Sequence, residues 1–195
     1  MRKYYCSIFV LGICTLFACN SPITPKPKGY RQLSFPEKKY QSFNEQGYPY
    51  AFEYPIYANI SKEVDYFGDS KKADNWININ FPANNGSVYV SYRTIQPGQL
   101  DTLIRDAYTF VNNHNSKASS IQDSMFRTAN GISGVFFHIG GEVANNYQFF
   151  LTDSTHHFFR GALYFDAAPN EDSLAPVNAF IFKDLVHLVN TFRWK

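Results

Sequence analysis

Asp153, Ser154, His156, His157 and Arg160 fall within one short stretch, TDSTHHFFRGALYF, from Thr152 to Phe165. A carboxylate, a hydroxyl and an imidazole are the parts of a nucleophilic hydrolase. The imidazole takes the hydroxyl proton and the carboxylate orients the ring. Those parts normally converge from separate elements, whereas these would share a single hairpin. Asp and Ser at a tight turn bond their own backbone instead. The turn reading is therefore preferred, no catalytic residue is assigned, and Arg160 is expected to pair with a nearby carboxylate. The five histidines are His114, His138, His156, His157 and His187, and none stands in an HxxxH or HExxH spacing. His156 and His157 are adjacent, so on an extended chain they point to opposite faces. No metal site follows. The chain has no G-x-S-x-G elbow, P-loop or dinucleotide glycine fingerprint, and no cofactor is expected.

A second stretch offers binding rather than catalysis. In YPYAFEYPIYANI, Tyr48, Tyr50, Phe52 and Tyr54 lie two apart, which places four aromatic rings on one face of an extended chain. A platform for sugar rings usually carries Asn, Asp or Arg beside the aromatics, but the alternate positions hold Pro49, Ala51, Glu53 and Pro55. Core wall is the better reading, with Phe52 central and Tyr50 and Tyr54 mostly buried. A partner surface comes second, since Tyr favours interfaces. Its candidate residues are Tyr48, Tyr50 and Tyr54 with His156 and Arg160. A glycan platform comes third.

The elements that must position these residues follow from periodicity. Tyr30 to Phe35 and Tyr48 to Tyr54 alternate as strands. Trp76 to Phe81 and Ser87 to Arg93 form a hairpin around Asn85-Gly86. Leu100, Leu103, Ile104, Ala107, Phe110 and Val111 recur at helical spacing, and Asn112 to Ser120 is a polar exit. Gly134 to Ile139, Val143 to Leu151 and Phe158 to Phe165 make a meander. A last helix starts near Ser173 with Pro176 in its first turn and Val177, Phe180, Ile181, Leu185, Leu188, Val189 and Phe192 along one stripe. The class is α+β, a mostly antiparallel sheet covered by two amphipathic helices. An α/β/α sandwich of the PsbP-like kind is the expected layout, by fold-level analogy.

The N-terminus speaks about location. Arg2 and Lys3 precede an apolar run from Ile8 to Phe17, too short to span a bilayer, which ends in Leu16-Phe17-Ala18-Cys19. That pattern is a lipobox with Cys19 as the lipidated residue. Residues 1–18 are then a signal peptide, 19–29 an acylated cysteine and a Pro/Lys tether, and 30–195 one domain. Cys6 and Cys14 leave with the signal peptide, so the mature chain has no thiol for a nucleophile, a disulfide or a metal. Removing Arg2 and Lys3 leaves 16 basic and 16 acidic residues. A balanced chain lacks the basic footprint that nucleic acid requires.

Several segments resemble the gliding-motility lipoprotein GldD family of Bacteroidetes. They are KPKGYRQLSFPEKKY (Lys26 to Tyr40), PYAFEYPIYA (Pro49 to Ala58), WININFP (Trp76 to Pro82), TDSTHHFFRGALYF and PNEDSLAPV (Pro169 to Val177), in one order across nearly all the mature chain. The resemblance implies a lipid-anchored accessory component of the gliding motility and type IX secretion machinery, non-enzymatic and acting through protein–protein contacts. It carries over no catalytic residue, no cofactor and no small-molecule ligand. The alternative is a periplasmic module that binds or hydrolyses cell-wall glycan. No acidic run like the surface-export signals of some Bacteroidetes lipoproteins follows Cys19, so the expected place is the outer membrane, facing the periplasm.

Overall fold

The computed structural model describes residues 33–62 and 75–195. The lipobox, the tether and the start of the expected Tyr30 to Phe35 strand lie outside them. Leu33 to Phe35 are described and carry no strand. Instead the Phe35 ring lies flat on Phe180, with centroids 4.4 Å apart.

The described residues form ten strands and two α-helices. The main sheet has seven strands in the order β3-β4-β5-β9-β8-β7-β6. Here β3 is Asn59–Lys62, β4 Ile77–Phe81, β5 Gly86–Thr94, β6 Ala118–Arg127, β7 Ser133–Gly141, β8 Tyr147–Thr152 and β9 His157–Phe165. Every neighbouring pair is antiparallel. A smaller sheet is ordered β1-β2-β10, from Tyr40–Phe43, Tyr50–Pro55 and Arg193–Trp194. Helix α1 spans Leu100–Asn112 and α2 spans Glu171–Thr191.

Alternation along the strands sorts the core into two layers. Val88, Val90 and Tyr92 of β5, Phe149 and Leu151 of β8, and Phe159 and Leu163 of β9 join Ile181, Leu185 and Leu188 of α2. The intervening Phe150 and Phe158, with Val135, Phe137 and Ile139 of β7, pack on Leu103, Ala107 and Val111 of α1. The layout is α/β/α, with the small sheet sharing the α2 side. Gly161 faces that side directly beneath the Phe149 ring, where an added Cβ would overlap it. The β4–β5 turn runs through Pro82–Asn84 as a 3-10 turn and reverses at Asn85, whose φ of 47° is the left-handed geometry that Asn tolerates.

Three sequence expectations shift. Asn170 caps α2 by accepting from the Ser173 backbone N–H, so the helix starts before Ser173 and Pro176 sits inside it, beyond the first turn. The polar exit after α1 gives way to the ten-residue strand β6, which among the described residues pairs only with β7. Both its faces are largely open, so its sequence carries no alternation, and Met125 is 84% exposed. Phe110 belongs to the apolar stripe of α1 by spacing but stands 50% exposed at its margin.

The aromatic stretch is core wall. Tyr50 and Phe52 are both 0% exposed. Phe52 stacks on Phe43 at 5.1 Å and on Phe192 at 6.3 Å, and Tyr50 meets Phe159 edge-on at 5.0 Å. Tyr54 is only partly buried. Strand β2 lies between β1 and β10 and leans on α2, where its Glu53 N–H donates to Thr191 Oγ1. Its flanking prolines therefore end a short central strand.

Candidate functional site

The Thr152 to His157 segment is built as a turn. Asp153 Oδ1 accepts backbone N–H groups from Thr155, His156 and His157 at 3.0, 2.8 and 2.9 Å. Burial pushes the Asp153 carboxyl up, but these three donors outweigh it and hold it below the usual carboxylate range. Ser154 takes φ of 67° and donates its backbone N–H to Thr152 Oγ1. The His156 side chain is 75% exposed, with Nδ1 3.9 Å from Asp153 Oδ2. His157 turns inward, its Nδ1 2.7 Å from the Tyr92 hydroxyl and its ring stacked on Trp194 at 4.8 Å. Among the described residues no hydrogen bond joins the Ser154 hydroxyl to either histidine.

Arg160 departs from expectation. It occupies a β9 position that faces α1, alternating with Phe159 and Gly161 on the other side. Among the described residues it has no ion pair. In place of the carboxylate expected from the sequence it meets an amide and a ring. Its Nη2 donates to Gln148 Oε1, and its guanidinium carbon lies 4.5 Å from the centroid of Phe110. Burial pulls its pKa down, against an opposing pull from nearby Tyr164. Gln148 is 1% exposed, and its Nε2 has no hydrogen-bond partner among the described residues.

Arg160 opens onto a groove of about 320 Å³ between α1 and the β5–β9 pair, at the low end of the small-ligand range. Tyr89, Ser91 and Arg93 line it from β5, Phe158 and Arg160 from β9, Asp106 and Phe110 from α1, with Trp76 at one end. The groove exists because α1 covers the β7–β8–β9 part of this face and leaves β5 uncovered. The Arg93 guanidinium carbon sits 5.9 Å from the Trp76 ring centroid. Asp106 forms no ion pair with either arginine among the described residues. A second groove of about 600 Å³ lies at the Gly86 end of β5, lined by Asn80, Ser87, Tyr164 and Asp166. Tyr89 lines both grooves and meets Tyr164 edge-on at 5.6 Å.

The expected partner surface is not one patch. Tyr50 is wholly interior and cannot touch a partner in this fold. Tyr48, partly buried, packs with Phe43 and Tyr50 on the α2 side of the sheet, whereas Arg160 faces α1. Tyr54 remains half open and His156 points outward from its turn. The residues that do gather around Arg160, namely Trp76, Tyr89, Arg93 and Phe110, are not among those the sequence reading singles out. Their signal is the outward set of β5, Ser87, Tyr89, Ser91 and Arg93, which alternates with its apolar set.

A buried polar cluster is equally silent in the sequence. Lys38 Nζ lies 2.7 Å from Asp184 Oδ2 and donates to Tyr57 Oη and the Phe180 carbonyl. Tyr57 and Tyr40 both donate to Asp184, at 2.7 and 3.1 Å. Burial lowers the pKa of Lys38, offset in part by Asp184, and raises Tyr40 to about 12 with help from the same carboxylate. The cluster ties residues 33–40 to α2. Among the described residues no helix is long and apolar enough to cross a membrane, and no group of three His, Cys, Asp or Glu residues is placed to hold a metal ion.

The described chain is an α+β sandwich with an arginine-lined cleft. Residues 20–194 match the family described as gliding motility lipoprotein GldD, and the chain belongs to that family. It is a gliding-motility lipoprotein, of a class anchored to the membrane in the cell envelope. No curated protein matches. Among solved structures it is similar to the solution structure of cyanobacterial PsbP (CyanoP) from Synechocystis sp. PCC 6803, with 15% identity, a TM-score of 0.46, and coverage of 87% of this chain and 100% of that one.

Proposed function

We propose that the protein is a non-enzymatic, lipid-anchored accessory component of the gliding motility and type IX secretion machinery. Acylated Cys19 holds it on the periplasmic face of the outer membrane, the Pro/Lys tether to residue 29 spaces it, and the domain that follows works through protein–protein contacts. The observation that carries this reading is the family match over residues 20–194, which begins directly after the lipobox cysteine. The turn built around Asp153 supports a structural role for the segment with hydrolase-like composition. Two acyl signals or more anchor a protein stably, whereas a non-acylated chain has no comparable hold.

Cys19→Ser should move the protein from the membrane to the soluble fraction, abolish acyl labelling and stop gliding. Unchanged membrane attachment with acyl label still present would sink the anchor assignment. Capture from detergent-solubilised membranes should recover other envelope proteins of the motility apparatus.

A second reading, a glycan-binding module, draws on one observation. Tyr89 and Tyr164 flank the larger groove with Asn80 and Asp166 beside them, a mixture of rings and polar groups suited to sugars. Binding of the purified protein to cell-wall glycan, lost in Tyr164→Ala without loss of folding, would favour it.

A further inference from the structure

We infer that the cleft along β5 docks an extended acidic peptide segment of a partner protein, with a carboxylate of that segment on Arg160. The inference rests on the protein-contact reading above and names the chemistry of the contact.

A guanidinium carries five N–H donors in a planar fork that matches a carboxylate. In this fold Arg160 spends one bond on Gln148 and lays its face on Phe110. Charges withdrawn from water are normally paired, because desolvation is costly. The missing acceptor is therefore expected from outside. A second group nearby is also unanswered. Gln148, itself almost wholly buried and bonded to Arg160 through Oε1, leaves Nε2 without an acceptor among the described residues. Arg93 adds a second cation to the same groove, where Asp106 on α1 is the one lining carboxylate among the described residues; Asp166 lines the other groove, so the excess of positive charge lies at the Arg160 end. The balance favours an anion.

The shape favours a chain over a small molecule. The groove at Arg160 and the groove at the Gly86 end of β5 meet at Tyr89. From Gly86 to Arg93 an extended strand covers about 23 Å at roughly 3.3 Å per residue. An occupant of both grooves has the length of about seven extended residues, with its acidic group at the Arg160 end. Phe110, Phe158 and Tyr89 offer apolar walls for the side chains next to the acid. A neutral glycan would fill the polar groove and leave Arg160 unanswered.

The test uses the full mature lipoprotein in detergent and fluorescence anisotropy. One probe is a labelled heptapeptide with a glutamate between two phenylalanines. The other has glutamine in its place. A charge-assisted bond to a half-buried guanidinium should favour the glutamate peptide by about ten- to a hundredfold. Arg160→Gln should erase that preference. Should that variant fail to fold, exposed positions decide the matter: Arg93→Gln should reduce the preference several-fold, and Asp106→Asn should increase it by removing a like charge. Equal binding of the two peptides, a preference that survives in Arg160→Gln, displacement by inorganic phosphate as effective as by unlabelled peptide, or tight binding of a chitin oligosaccharide with no peptide binding would each overturn the inference. Capture of envelope partners that persists after any such result leaves the protein-contact reading intact and moves its surface elsewhere.

Discussion

Phe52→Ala tests whether the aromatic stretch is core or contact. The ring is 0% exposed and lies among Phe43, Tyr50, Phe159 and Phe192, with centroids 5.1, 6.0, 6.3 and 6.3 Å away. These neighbours belong to β1, β2, β9 and the residue after α2, so the site cannot collapse by moving one element. Truncating a buried Phe costs about 3–5 kcal/mol, the transfer term plus the cavity left behind. A domain of this size has roughly 5–15 kcal/mol in total and loses about 2–4 °C of Tm per kcal/mol. The expected fall is therefore about 6–20 °C. Thermal melting of the purified variant measures it, with cellular abundance and gliding read on the same strain. Abundance and gliding should fall together with Tm. An unchanged Tm with normal abundance and abolished gliding would refute the core assignment.

Asp184→Ala should cost about 3–5 kcal/mol in urea unfolding, because Lys38 and the hydroxyls of Tyr40 and Tyr57 lose a common buried acceptor. Lys38→Met, which keeps the packing and leaves both tyrosines bonded to Asp184, should cost clearly less. Gly161→Ala drives a Cβ into the Phe149 ring and should cost about 1–3 kcal/mol, partly recovered by Phe149→Leu in the same chain. His157 has a pKa below its ordinary 6.5, chiefly through burial with Asp153 opposing and His156 assisting, so the unfolded chain binds the proton more tightly. Stability should then be full above pH 6.5 and decline as pH falls below it, in thermal melts spanning about one unit either side, with a flatter profile in His157→Gln. His114 is shifted the same way, by burial and then by Arg160, and contributes to the slope that remains.

Much of the fold can be read from the sequence because its central strands are two-sided. The β4–β5 hairpin and both helices announce themselves by period, since each buries one side against a neighbouring layer, whereas β7, β8 and β9 bury residues on both faces and show as apolar runs between turn residues. The elements that stay silent share a different property. Among the described residues β6 is an edge strand with both faces largely open, so Ser, Gln and Asp fill it without pattern. Strands β1, β3 and β10 are four, four and two residues long, and depend on pairing with a neighbour more than on their own residues. The early start of α2 is written in Asn170, but Pro176 draws the expected boundary forward because proline is so strongly associated with first turns.

The candidate site is harder to read because its meaning depends on what a helix fails to cover. Arg160 is visible in the sequence as a charged residue in an apolar strand, and such a residue invites completion with a carboxylate. The β8–β9 register decides otherwise. It pairs Arg160 with Phe150 and Ala162 with Gln148, so the polar neighbour two residues along the same face of β8 is an amide rather than an acid. The small Ala162 side chain leaves room for the Gln148 amide to reach Arg160 across the pair of strands. The second determinant is α1. Its apolar stripe turns Leu103, Ala107 and Val111 onto the β7–β8–β9 part of the sheet, which leaves Phe110 at the margin above Arg160 and β5 open beyond it. No residue in β5 signals by itself that its outward set, Tyr89, Ser91 and Arg93, will stand beside a half-buried guanidinium. That follows only from the β5–β9 register, which pairs Ser91 with Arg160, and from the limited reach of a 13-residue helix across a seven-stranded sheet. The cleft is thus a product of topology, and its arginine is the one part of it that composition marks.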